Sequence, residues 1–141
     1  MKQIKFFIAL VAISLSCTIM KAQVKIIDLS VIPAVYVTPQ SADSTDIVIS
    51  FKAQHPENIT TVKLLLGSQS NNSSIANYDL VVQHTSGTHS IEIEGKSFTI
   101  NGYQANFTLP LTTAQYNSFS LLTLYVVSSD GTESEHLLFN K

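Results

Sequence analysis

The chain has 141 residues, of which 45% are hydrophobic and 13% charged, and a formal net charge of −2. All eight basic residues are lysines, so the forked arginine contacts that read phosphates and guanine edges are missing, and no nucleic-acid partner is expected. The single cysteine, Cys17, leaves residues 18–141 without disulfides or thiolate metal sites.

Residues 1–22 carry the pattern of an export signal. Lys2 and Lys5 form a positive start, residues 6–15 are almost wholly apolar, and Ala22 offers a small residue ahead of a cut before Gln23. The ending Lys21-Ala22-Gln23 resembles signal peptides of Gram-negative gut and soil bacteria. Cys17 is a rival cutting point, because a cysteine behind an apolar run and Ser16 can anchor a lipoprotein. Such boxes usually carry Leu three places earlier, and here Ser14 stands there. The apolar run is far shorter than the ~20 residues of a membrane-spanning helix, so no transmembrane span is expected once the signal is gone. The expected organisation is a signal peptide over 1–22 and one domain over 23–141. That domain keeps five lysines against ten acids and is destined for the periplasm, the outer surface or the medium.

The remainder alternates with period two between turn residues, the signature of strands. A first strand is expected over 24–29 and a short one over 34–38, held to an edge by Pro33 and Pro39. In residues 46–54, Ile47, Ile49, Phe51 and Ala53 face one way and Val48, Ser50 and Lys52 the other. After a turn at 55–58, the strand over 59–66 turns Val62, Leu64 and Leu66 inward. A polar loop over 67–74 leads to a strand over 75–83 with Tyr78, Leu80 and Val82 on one side. Ser86-Gly87 turns the chain into a strand over 90–94. Asn101-Gly102 reads as the centre of a type I′ hairpin between 97–100 and 103–107. Thr112 to Gln115 fits a capping box opening one helical turn, a crossover between sheets. Residues 120–128 are apolar on both faces, with Leu122, Leu124 and Val126 on one and Leu121, Tyr125 and Val127 on the other. Ser129-Asp130-Gly131 then turns into a last strand over 133–139.

Phe107-Thr108-Leu109, Tyr116, Leu122, Leu124 to Val127, Asp130-Gly131 and Ser134 together resemble the C-terminal part of immunoglobulin-like and fibronectin type III-like domains of bacterial surface proteins. The resemblance implies an all-β, antiparallel sandwich of about 7–9 strands following the signal peptide. It implies a tyrosine corner at Tyr116. The inter-sheet cysteine pair and core Trp of antibody domains are missing.

No catalytic motif stands out. No Ser lies in a Gly-x-Ser-x-Gly setting. Glu92 and Glu94 would share one exposed strand face. His84 and His89 flank one loop that a hairpin would close, without metal-ligand spacing, and read as polar loop residues. No catalytic, cofactor or metal site is therefore expected, and the chain reads as a non-enzyme. Two places remain of interest. One is the second face of the 120–128 strand, where Leu121, Tyr125 and Val127 form a partner surface if nothing covers them. The other is a loop site at one end of the sandwich, marked by His55 and Asp130. The expected function is an exported, non-catalytic module for protein–protein interaction, adhesion or structure at the bacterial envelope. The alternative is a carbohydrate-binding module, with a glycan on Tyr36, Tyr78 or Tyr103.

Overall fold

The strict alternation of residues 47–53 produces a central strand. The computed structural model describes residues 23–34, 43–70 and 73–141. In it β2 (Ile47–Ala53) lies between β1 (Ile26–Pro33) and β7 (Gln104–Leu109) in a three-stranded antiparallel sheet. Ile47, Ile49, Phe51 and Ala53 are all buried, and Lys52 points out. The expected signal peptide with Cys17, most of the 34–38 strand with Tyr36, and Asn71-Asn72 lie outside the described residues.

A second sheet has six antiparallel strands in the order β6-β5-β4-β3-β8-β9. They are β3 (Ile59–Ser68), β4 (Ser73–Thr85), β5 (Thr88–Ile93), β6 (Lys96–Ile100), β8 (Leu121–Ser128) and β9 (Leu137–Asn140). Its inner face sets Val62 against Val126, Leu64 against Leu124 and Leu66 against Leu122, all buried. The two inner faces meet in one core, where Phe51 and Phe107 pack edge to face with centroids 6.4 Å apart. The fold is thus an all-β sandwich with nine strands among the described residues.

Tight turns order the larger sheet. Ser86-Gly87 and Glu94-Gly95 both take left-handed φ values, as type I′ turns require, and close the β4–β5 and β5–β6 hairpins. Asn101-Gly102 behaves otherwise. Asn101 pairs with Gln104, so the loop residues are Gly102 and Tyr103, and of these only Gly102 has positive φ. The φ signs match a type II′ turn, one residue later than expected. The ladder stops at that single pair, because β6 belongs to the large sheet and β7 to the small one. The turn is a switch between sheets rather than the head of a hairpin.

The return crossover is the helix α1 (Thr113–Ser118). Thr112 Oγ1 accepts from the Gln115 N–H at 3.1 Å, and Gln115 Oε1 accepts from the Thr112 N–H at 2.9 Å. The capping box read in the sequence is complete. Tyr116 packs its ring edge-on to Phe119 at 5.9 Å and under the Lys141 ammonium at 3.9 Å.

Two strands differ from expectation. β1 runs on to Pro33 because a bulge between Ile27 and Ser30 lets the chain resume pairing after Asp28, which sits in the left-handed region. The last strand starts at Leu137 rather than 133. Ser134 interrupts it by bonding Val126 through both backbone and side chain. Its N–H donates to the Val126 carbonyl at 2.9 Å, and its Oγ accepts from the Val126 N–H at 3.0 Å.

Candidate functional site

The pleat that buries Leu122, Leu124 and Val126 turns Leu121, Thr123, Tyr125 and Val127 to the outer face of the large sheet. Register sets Lys63 beside Tyr125, Thr61 beside Val127, and Leu65 and Leu138 on either side of Thr123. Thr61 also faces Val81 across β4. Leu121, Tyr125 and Val127 are half-buried, while Val81 and Leu138 are 63% and 62% exposed. The face is neither closed nor bare. His136, carried out of the sheet by the Ser134 interruption, stacks on Tyr125 at 4.2 Å and 18°. In the middle, Lys63 pairs with Asp79 at 3.2 Å. That carboxylate holds the Lys63 ammonium above the usual lysine value. The result is an apolar surface with one aromatic at its centre and one ion pair across it.

The end of the sandwich brings together the loops that hold His55 and Asp130. The Ser129 N–H donates to the Asn58 carbonyl at 2.8 Å, tying the two loops. The side chains serve their own loops. Asp130 Oδ1 accepts from the Thr132 N–H at 2.9 Å. His55, left-handed at φ 57°, precedes a 3-10 turn (Pro56–Asn58) and sets Nδ1 3.1 Å from Glu57 Oε1. Glu57 titrates below the usual carboxylate value. A backbone hydrogen bond lowers it most, with further lowering from His55 and His89.

Beside His55 opens a groove of about 450 Å³, lined by Ile27, Lys52, Gln54, Glu57 and Tyr103. Tyr103 is 70% exposed, lifted by the turn at Gly102, and its carbonyl accepts from the Ala53 N–H at 2.7 Å. Lys52 is held by Asp28 at 2.8 Å, an ion pair that the β1 bulge makes possible. Of this groove's lining, only His55 and Tyr103 are candidate site residues on the sequence alone. Ile27, Lys52, Gln54 and Glu57 come from separate segments, and only their pairing collects them.

A second groove, about 480 Å³, lies between Tyr78, Glu94, Leu111 and Gln115. Burial pushes the Tyr78 phenol above its usual value, which disfavours an ionised nucleophile there. Glu94 occupies the turn after β5, whereas Glu92 sits on the strand opposite Ser97. The two carboxylates therefore do not share a strand face as expected.

No protein family model, curated protein or solved structure matches this chain. Among the described residues no helix is long and apolar enough to cross a membrane, and no three His, Cys, Asp or Glu side chains are gathered to hold a metal ion.

Proposed function

We propose that the chain is an exported, non-catalytic, immunoglobulin-like module that docks proteins at the bacterial envelope through the outer face of its large sheet. The strand order supports the immunoglobulin-like reading. β1-β2-β7 follows the A-B-E order of such sandwiches, and β9-β8-β3-β4 follows G-F-C-C′. The β5–β6 pair is an addition at the far edge of the larger sheet. The export signal of residues 1–22 supports an envelope location.

The observation that carries the docking role is the doubly apolar strand β8. Its inner side chains fill the core, and its outer ones form a surface with Leu65, Val81 and Leu138. A solvated sheet face has no use for that many apolar groups. A Tyr at the centre matches the aromatic enrichment of interface centres. Such a face supports weak self-association or docking on another envelope protein. Sedimentation velocity over a concentration series tests the self-association, with a Tyr125→Ser, Val127→Ser variant as control. The wild type should show concentration-dependent dimers and the variant should not. A wild type that stays monomeric throughout counts against the reading.

The groove beside Tyr103 supports a second reading, a glycan-binding module. One exposed aromatic ring stands next to Lys52, Gln54 and Glu57, which offer donors and acceptors to sugar hydroxyls. Titration with a panel of soluble glycans, wild type against Tyr103→Ala, separates this reading from the first.

A further inference from the structure

The β4–β5 hairpin carries a feature that neither reading above uses. His84 and His89 stand directly opposite each other across its two strands, two residues beyond the buried pair Val82 and Ile91 on the same inner face. His89 in turn faces the buried Ile100 on β6. The two imidazoles thus follow the core pair along the same face, His84 exposed and His89 half-buried. Their Nδ1 atoms are 2.7 Å apart, and the rings meet at 69° with centroids at 4.8 Å.

The proton positions follow from a third contact. His84 Nε2 lies 2.7 Å from the Ile59 carbonyl, which only accepts. His84 therefore carries its proton on Nε2, and in the neutral ring Nδ1 is a lone pair aimed at His89. The His89 Nδ1–H fills that gap. This is the arrangement of a metal-ligating histidine, whose far N–H is held by a backbone carbonyl so that the near nitrogen faces the ion. Here a proton, rather than an ion, bridges the two nitrogens.

We propose that His84 and His89 form a two-imidazole site for a divalent first-row transition ion, Cu²⁺ foremost, with water completing its coordination. Loading moves the His89 proton from Nδ1 to Nε2 through solvent, so both Nδ1 atoms become ligands and both rings stay neutral. Ligand spacing selects the ion. At metal–nitrogen bonds of ~2.0–2.1 Å, two tetrahedral ligands sit ~3.3 Å apart, and two adjacent tetragonal ones ~2.9 Å. The two nitrogens must separate by roughly 0.6 Å for the first and about 0.2 Å for the second, and in both cases the rings must swing so that each Nδ1 lone pair turns off the N···N line toward the ion. Imidazole donors and the order of divalent affinities favour Cu²⁺ in the same direction.

The test is calorimetric titration of untagged protein with Cu²⁺ and, separately, Zn²⁺. The expected result is one site per chain, tighter for Cu²⁺ than for Zn²⁺, with binding weakened at least ~10-fold in His84→Gln and in His89→Gln and unchanged in His136→Gln. Electron paramagnetic resonance of the Cu²⁺ form should show two imidazole nitrogens. Since His84→Gln also removes the bond to Ile59, an imidazole-nitrogen NMR titration of the wild type with Zn²⁺ gives a readout free of substitution. The Nδ1 signals of His84 and His89 should move together, ahead of those of His55 and His136. Equal binding in the His89→Gln variant, or a response led by His55 or His136, overturns the proposal.

Discussion

Truncating Phe51 to Ala is the sharpest test of the core. Phe51 is fully buried on β2 and meets Phe107 edge to face at 6.4 Å. Large-to-small changes at such sites cost about 3–5 kcal/mol, and loss of an aromatic pair adds roughly 0.5–1.5 kcal/mol. The expectation is therefore the upper half of that range, about 4–5 kcal/mol. For a domain of about 119 residues the unfolding entropy is near 0.25 kcal/mol/K, so the melting temperature should fall by about 16–20 °C. Lys52 is the control, one residue along on the opposite face, with its side chain 52% exposed in an ion pair with Asp28. Lys52→Ala should stay within about 0.5 kcal/mol, as exposed pairs contribute little. Urea unfolding of both variants with an unchanged m-value supplies the numbers. A loss below about 1.5 kcal/mol for Phe51→Ala, or equal losses for the two, would refute the register and burial of β2.

Ser134→Ala leaves the buried Val126 N–H without its Oγ partner, and chemical denaturation should register a loss of about 1–3 kcal/mol. Glu57 has a folded carboxyl that titrates below its unfolded value. Its stabilisation is therefore complete above the unfolded value and is lost as pH falls through the lower folded one. The stability difference between wild type and Glu57→Gln should accordingly be present near neutral pH and vanish under strong acid, and a difference that grows on acidification would contradict the assignment. Intact-mass analysis of the exported protein should give an N-terminus at Gln23, whereas a diacylated species starting at Cys17 would make it a membrane-anchored lipoprotein.

The parts legible in the sequence were those set by local chemistry. The alternation of residues 47–53 gave the buried face of β2 residue by residue, because side-chain period alone decides it. The capping box at Thr112 and Gln115 needs only neighbours three residues apart, and it formed as read. The two-faced apolar pattern of β8 left a covered second face or a partner surface as the alternatives, and its inner and outer sets sorted as the pleat requires. What failed depended on distant partners. Asn101-Gly102 has the composition of a hairpin centre, yet whether two strands continue pairing beyond a turn is settled by which sheet each joins. The last strand was shortened by one side chain, Ser134, taking up a backbone donor on β8, and that displacement put His136 over Tyr125. The groove at Tyr103 gathers residues from β1, β2, the 55–58 turn and the switch loop, so no window of sequence contains it. His84 and His89 were seen as neighbours across a loop, but their direct opposition depends on a two-residue turn at Ser86-Gly87 and their proton positions on Ile59.

The central claim is that the outer face of the large sheet is a docking surface. Amide NMR spectra recorded as a function of protein concentration test it most directly. The account predicts that shifts grow with concentration at Lys63, Leu65, Thr123, Tyr125, Val127 and Leu138, while Lys52, Gln54 and Tyr103 stay still. Shifts confined to the groove around Tyr103 would contradict it, and spectra unchanged up to the highest concentration would exclude self-association through this face.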